Sequence, residues 1–381
     1  MSGRSATGRI TRRAAGLLPP RPVVVAYAVA LLLVLASAFA AESLAVRNPA
    51  LTSGSDLPIL RSLTSWDGYW YLGVARDGYH AAAGPNGYHD YAFLPLYPLL
   101  VRVLSLPWPG LTSLVGVVVS AVALLGALGV FVRLGRRVVD DRRAILGAAL
   151  LPLCPFAAPL FMAYPESLGL LLAVVAFEEA EQDRRATAGL VIALGALARP
   201  QGAVLALPVF LVWYLRDGRR FRASQAWVLL GPLAFLGFVG YVGALTGDPL
   251  GYLHAQATWG RGGLGGVGSD VTFGDVLSSG SPIAWVLLLQ LATFGVGIFL
   301  LVFARPDRLR MPYAVVPVVT LVTDFATGNL ASIGRHLTLA FPYAWILAGR
   351  RPRIARCLLV AGLPVALAVL SSLTFAGRFV P

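Results

Sequence analysis

The sequence predicts an all-α polytopic membrane protein of about eleven transmembrane helices, and three observations carry that prediction. Of the 381 residues, 57% are hydrophobic and only 13% are charged, which is about half the charged fraction of a soluble domain. Apolar runs of roughly twenty residues recur along the chain, a length that crosses a bilayer as a helix. The basic residues concentrate in short segments between those runs, as they do in cytoplasmic loops.

The chain begins with a basic segment, 1–22, followed by an apolar run at 23–44. Because positive charge is enriched on the cytoplasmic side, the arginines of this segment predict a cytoplasmic N-terminus. The run shows no convincing small-residue cleavage site, and many further runs follow it. We therefore interpret it as a retained helix and not as a cleaved signal peptide. Residues 23–381 are predicted to form one transmembrane domain.

The first predicted extracytoplasmic loop is the long polar segment 45–110. It contains "YAFLPLYPLLVRVLSL" (91–106), which is short, holds two prolines and precedes the breaker "PWPG". We expect an interfacial helix there and not a span. That choice leaves the basic segment "RLGRRVVDDRR" (133–143) on the cytoplasmic side.

The later apolar runs then alternate across the membrane and place the C-terminus outside. They lie at 111–133, 143–162, 165–180, 186–199, 201–216, 225–246, 283–304, 312–328, 335–349 and 355–376. The pair 186–199 and 201–216 is short for two crossings and is equally compatible with one re-entrant hairpin. The second extracytoplasmic loop is predicted at 247–282. The four histidines, which played no part in placing the spans, all fall on the outer side.

Several function classes are disfavoured by the composition. Lysine is absent, and the arginines lie mainly in short segments between apolar runs, so no basic face for nucleic acid is expected. Strand–helix alternation is absent from the pattern, and "GGLGGVG" (262–268) lacks the helix start that a nucleotide-phosphate loop needs. Cys154 and Cys357 lie in different apolar segments and suggest no disulfide or metal site. No cofactor is assigned, and a divalent-metal requirement is left open.

Candidate chemistry gathers on the predicted outer face, in five separate segments. The candidates are Trp66, Asp67, Tyr69, Trp70 and Asp77 in "SWDGYWYLGVARDGYH" (65–80), Glu166 in "AYPESLG", Arg199 and Gln201 in "ALARPQG", His254, Gln256, Trp259 and Arg261 in the second loop, and Arg335 and His336 in "GRHLTLAFP". The tryptophans also fit an aromatic belt at the membrane boundary. From residue types alone, Asp67 is favoured only slightly over Asp77.

Two arginines among these candidates have sequence contexts that point to function. Arg199 interrupts an apolar run, where a charge is costly unless it lines a polar cavity. Arg335 stands at a helix entrance with no acidic residue nearby in the sequence. A free guanidinium in that position is typical of a phosphate ligand.

The motifs, taken in order, resemble the PIG-V-like family of GT-C polyprenol-phosphate-sugar-dependent glycosyltransferases. The resemblance rests on "SWDGYWYLGVARDGY", "YAFLPLYPLLVRVL", "YPESLGLLLAVVAF", "ALARPQG", "GDPLGYLHAQATWGR" and "GRHLTLAFP". It implies a GT-C-like bundle with juxtamembrane helices in the first outer loop. It also implies inverting transfer of a sugar, expected to be mannose, from a polyprenyl-phosphate donor to a lipid-linked or glycan acceptor on the extracytoplasmic face.

The resemblance also implies roles for individual residues. Asp67 matches the catalytic base of the family, and Arg335 matches a basic residue near its last helices. Arg335, Arg199 and His336 are expected to bind the donor phosphate, and the other candidates to contact substrate. Two positions depart from the family pattern, since His336 replaces a common Tyr and Gln201 a frequent Asn.

Two other function classes stay open from the sequence. A secondary transporter usually shows internal repeats and charges near the membrane midplane, and no clear repeat is visible here. A non-catalytic membrane assembly protein is the other alternative. The expected partners are membrane lipids, polyprenyl-phosphate-mannose and a glycolipid or glycan acceptor, with no nucleic acid. The expected location is the cell membrane, while the acceptor and the oligomeric state are left open.

Overall fold

The computed structural model describes residues 18–84, 87–259, 311–327, 333–349 and 353–379, with single positions at 288, 292 and 295. In these ranges the regular elements are helices, and one isolated β-bridge joins Ser53 to Ser65. The α-helices are α1 (Arg21–Ser43), α2 (Leu60–Leu63), α3 (Asp67–Asp77), α4 (Leu96–Ser105), α5 (Thr112–Val138), α6 (Asp141–Leu150), α7 (Glu166–Glu181), α8 (Arg185–Ala198), α9 (Pro200–Val204), α10 (Ala206–Arg216), α11 (Leu230–Thr246), α12 (Gly251–Thr258), α13 (Met311–Thr327), α14 (Ile333–Leu337), α15 (Pro342–Leu347) and α16 (Arg353–Phe375).

Three helical segments of the described ranges are long and apolar enough to cross a membrane. They are Arg21–Ser43, Pro109–Val138 and Ala223–Thr246, of which the last two add short 3-10 turns before α5 and α11. Shorter apolar helices, including α4 and α8, accompany them. The helical fold class is thus confirmed for the described residues, and the number of about eleven spans stays a prediction. Most of the predicted run 283–304 lies outside the described residues.

The span predicted at 143–162 is wrong as a continuous helix. Helix α6 ends at Leu150, and two 3-10 turns, Leu151–Leu153 and Ala158–Leu160, follow it. Prolines recur through this stretch, and each removes a backbone donor and blocks a helical turn. The segment that leads to α7 is instead irregular and largely buried. The run predicted at 335–349 is likewise divided, between α14 and α15.

The short helix predicted in the first outer loop is confirmed as α4. Its ten residues span about 15 Å, which is half the thickness of a bilayer core. Tyr97 and Val101 are buried on one face, whereas Leu99 and Val103 are more than half exposed on the other. A one-sided apolar surface of this kind suits the predicted interfacial position.

Helix α7 occupies the centre of the packing and contacts both α5 and α8. Two large hydrophobic clusters surround it. One includes Tyr164, Phe177 and Trp213, and the other lies under α3 and α4 and includes Leu168. Because Tyr164 and Leu168 flank the first residue of α7, the start of that helix lies where the two clusters meet.

Helices α8 and α9 approach each other closely through two glycines. A Cβ atom added to Gly202 would overlap the backbone of Gly195, which no side-chain rotation can relieve. We expect Gly202→Ala to lower the free energy of unfolding by about 1–3 kcal/mol, the usual cost of overpacking. Gly237→Ala is the matched control, because a Cβ there meets no atom within 4 Å. Thermal unfolding in detergent measures the stability of both variants. Equal unfolding midpoints would contradict the close approach of α8 and α9.

Candidate active site

The start of helix α3 is anchored from two directions. The backbone N–H of Asp67 donates to the hydroxyl of Tyr164 at 3.0 Å. The indole N–H of Trp66 donates to the carbonyl of Thr374 in α16 at 3.1 Å. Trp66 has a φ of 58°, a left-handed conformation that is costly for a bulky residue and persists only where the surroundings enforce it. The backbone before Asp67 is therefore held in an unusual shape.

Four charged side chains from α3, α7, α14 and the α8–α9 break form one buried cluster. The Arg335 guanidinium lies 2.7 Å from a carboxylate oxygen of Asp67 and 3.5 Å from Oε1 of Glu166. Arg199 is bound to the same Oε1 atom of Glu166. We call Asp67, Glu166, Arg199 and Arg335 the four-charge cluster. Two carboxylates face two guanidinium groups, so the cluster has no net charge.

Burial differs among the four members and distinguishes their roles. The Asp67 side chain is 17% exposed, whereas Arg335 and Glu166 are 4% and 1% exposed. Oε2 of Glu166 is also buried and has no hydrogen-bond partner. Burying ions costs several kcal/mol each, so such a cluster is weak evidence for stability. Its geometry instead keeps two cations buried beside one partly exposed carboxylate.

Two tyrosines form the wall of the four-charge cluster, and neither was predicted as a site residue. The Arg335 guanidinium lies 5.7 Å from the centroid of the Tyr164 ring, which packs 6.4 Å from the ring of Tyr71. Burial raises the pKa of both phenols, so both stay neutral hydroxyls at neutral pH. A sequence signal existed for each, because Tyr71 follows Asp67 by one helical turn and Tyr164 stands in "AYPESLG" beside Glu166.

The two polar candidates beside the arginines also reach this site. Gln201 accepts a hydrogen bond from Nε of Arg199 at 3.3 Å, and Nε2 of His336 lies 3.4 Å from Nε of Arg335. Both side chains are buried. The structure thus unites six of the predicted site residues. The expectation that the Arg335 guanidinium is free was wrong, because carboxylates distant in the sequence are its partners.

A second set of candidates forms an aromatic cluster next to α3. The rings are Tyr69, Trp70, Tyr88, Phe93 and Trp259, with centroids 4.3–6.3 Å apart between contacting pairs. Gln256 donates to the carbonyl of Ala92 at 2.7 Å and holds α12 against the first outer loop. The two predicted loops therefore meet through these rings.

Two of the remaining candidates, Asp77 and His254, are exposed residues outside the four-charge cluster. Asp77 is exposed at the far end of α3, about 15 Å along the helix from Asp67. His254 is exposed and pairs with Asp248 at 2.6 Å. The backbone N–H of Leu250, and then His254, hold the pKa of Asp248 below its usual value. Arg261 lies outside the described residues. Within the described ranges, no group of three or more His, Cys, Asp and Glu side chains is arranged to hold a metal ion.

Comparisons with known proteins agree with the motifs. Residues 27–213 match the family described as Mannosyltransferase (PIG-V). The GPI alpha-1,6-mannosyltransferase 2 of Mus musculus is 33% identical over 157 residues, which are 38% of this chain and 30% of that protein. The same enzyme of Rattus norvegicus is 32% identical over 158 residues, with the same coverage. The matched region thus spans about a third of the length of these curated relatives.

Among solved structures, the Archaeoglobus fulgidus oligosaccharyltransferase tethered with an acceptor peptide aligns with a TM-score of 0.46 and 12% identity. That alignment covers 94% of this chain and 56% of the other. The family match includes the positions of Asp67, Glu166 and Arg199, whereas Arg335 lies beyond it. The resemblance predicted from the motifs is confirmed by this family match over residues 27–213.

Proposed function

We propose that this chain is an integral-membrane glycosyltransferase with a GT-C-like bundle. It transfers a mannosyl group from a polyprenyl-phosphate donor to a lipid-linked or glycan acceptor on the extracytoplasmic face. The observation that carries the proposal is the 2.7 Å contact between Asp67 and Arg335. The contact supports the proposal because the proposed base, Asp67, and the proposed phosphate ligand, Arg335, then lie within the width of one sugar. The family match supports the choice of mannose.

The proposed transfer involves the two substrates and these side chains. The acceptor hydroxyl oxygen attacks the anomeric carbon, and the bond from that carbon to the phosphate oxygen breaks. Its electron pair leaves with the polyprenyl phosphate, while the hydroxyl proton passes to Asp67 on the opposite face of the sugar. Attack opposite to the leaving group inverts the anomeric centre. A positioned base of this kind contributes roughly 10²–10⁴-fold.

Arg335 and Arg199 are the proposed ligands of the departing phosphate. A guanidinium can donate two parallel hydrogen bonds to phosphate, and cations held in place need no reorganisation as charge develops. Glu166 bridges both arginines and fixes their spacing. His336 and Gln201, beside the two guanidinium groups, are proposed to keep those groups oriented.

The ion pair between Asp67 and Arg335 suggests an order of events. A carboxylate paired with a guanidinium is a weak base, because the cation favours its charged form. Donor phosphate competes with Asp67 for Arg335 and frees the carboxylate to accept a proton. Donor binding is therefore proposed to precede activation of the acceptor. The neighbouring rings of Trp70, Tyr69 and Trp259 are proposed to stack on sugar faces.

The decisive experiment supplies purified protein with radiolabelled polyprenyl-phosphate-mannose and native lipid extract. We expect the label to move into a new glycolipid or glycan product, and no product when GDP-mannose replaces the lipid donor. Label that stays on the donor at all protein concentrations contradicts the proposal. If label instead crosses the membrane of sealed vesicles without forming a new bond, the chain is a transporter.

Orientation is tested separately with single cysteines in a background in which Cys154 and Cys357 are serine. Ala82 and Ala223 are both exposed and differ in the predicted side of the membrane. The nearby Gly84 is a poorer labelling position, because a Cβ atom added there would contact the Trp70 ring. We expect an impermeant thiol reagent to label Ala82→Cys in intact cells and Ala223→Cys only after permeabilisation. The reverse pattern would overturn the proposed outer site.

A further inference from the structure

A large apolar cavity opens away from the four-charge cluster, between α1, α6, the end of α15 and α16. Its volume is about 840 Å³, and Pro22, Leu146, Ala149, Leu347 and Val360 are among its lining residues. Ligand pockets generally measure about 300–1,000 Å³, so this cavity is large enough for a ligand. Val360 is 61% exposed, which leaves one side of the cavity open.

Among the described residues that line this apolar cavity, Arg142 is the charged one. Three arginines of the same basic segment are paired with carboxylates: Arg136 with Asp141 at 2.6 Å, Arg137 with Glu178 at 3.5 Å, and Arg143 with Asp140 at 3.1 Å. Arg142 is exposed and makes no side-chain hydrogen bond or ion pair within the part of the chain that the structure describes. Its guanidinium group is therefore available to an anion at the edge of the cavity.

An apolar cavity with one available cation favours an amphiphile with an anionic head. A water-soluble anion would leave the apolar walls exposed, and a zwitterionic lipid carries a cation beside its phosphate that weakens the attraction to the guanidinium. Basic pockets between membrane helices on the cytoplasmic side are a known setting for anionic headgroups. Arg142 belongs to a segment on the cytoplasmic side of the proposed orientation, where anionic lipids reside.

We propose that this cavity binds an acyl chain of an anionic phospholipid, whose phosphate is held by Arg142. The acyl chain of the lipid fills the space between α1, α6 and α16, and its headgroup stays at the membrane surface. This site is separate from the proposed transfer site and does not depend on it. Its test therefore uses lipid binding and not mannosyl transfer.

The acyl-chain part is tested by photolabelling in phosphatidylcholine vesicles that contain phosphatidylglycerol with a diazirine on its acyl chain. We expect crosslinks on peptides that include Leu146 or Val360. Ala149→Phe, which fills the cavity, is expected to abolish them. Val122→Phe is the matched control, because Val122 is 64% exposed on α5 and does not line the cavity. Unchanged crosslinks in Ala149→Phe would overturn the proposal.

The headgroup part is tested by competition with unlabelled lipids. We expect Arg142→Gln to reduce the preference for phosphatidylglycerol over phosphatidylcholine about fivefold, the effect of one arginine at a membrane surface. Arg219→Gln makes the same charge change at another exposed position and is expected to leave the preference unchanged. A preference that Arg142→Gln does not alter overturns the proposal. Competition by inorganic phosphate alone also overturns it, because the site would then recognise a free anion.

Discussion

Asp67→Asn is expected to lower the rate of mannosyl transfer at least about a hundredfold, the scale of a lost general base. Asparagine keeps the shape of aspartate and the backbone N–H that bonds Tyr164, so the start of α3 is expected to stay in place. The substitution also removes the carboxylate that competes with phosphate for Arg335. We therefore expect the maximal rate to fall while the KM for the donor stays equal or decreases. Steady-state kinetics, with donor and acceptor concentrations varied in turn, measures the maximal rate and the KM.

Asp77→Asn is the matched control for this prediction. It makes the same chemical change in the same helix, at an exposed position distant from the four-charge cluster. We expect its transfer rate to be close to that of the unmodified chain. Asp67 is not the base if Asp67→Asn retains more than about a tenth of the rate at equal expression. Equal losses in both variants would also exclude the assignment.

Substitution of Arg335 is expected to have the second large effect, and to act through the donor. A charge-assisted hydrogen bond contributes roughly 1.5–3 kcal/mol, which corresponds to a ten- to hundredfold change in affinity or rate. Arg335→Ala removes these bonds and leaves the buried carboxylate of Glu166 and the partly exposed carboxylate of Asp67 without their shared cation. We expect almost no transfer from this variant, together with a lower unfolding temperature.

Arg335→Lys separates the phosphate contact from the effect on folding. Lysine keeps the positive charge but cannot donate two parallel hydrogen bonds, so we expect partial activity and a raised KM for the donor. Arg102→Lys, at an exposed position of α4, is the matched control and is expected to change neither constant. The assignment fails if Arg335→Lys weakens only acceptor binding, or if Arg335→Ala leaves the donor dependence and the maximal rate unchanged.

The local features of this protein are determined by the sequence alone. Long apolar runs require helices in a bilayer, because each backbone polar group must find its partner within its own segment. Breaks are local as well: Pro200 ends α8 at Arg199, and the prolines near α4 limit its length. The order of the motifs likewise predicted the match to the PIG-V family, since that order depends only on residue types and their succession.

Contacts between distant segments were decided only by the tertiary structure. The sequence around Arg335 contains no acidic residue, yet the packing of α14 near α3 and α7 gives it two carboxylates. The same packing distinguishes Asp67 from Asp77 and brings Tyr164 to the site through a buried irregular segment where a span was predicted. Such pairings depend on which helices pack together. That choice reflects the shapes of whole helix surfaces and leaves no periodic signal in the residues of any one segment.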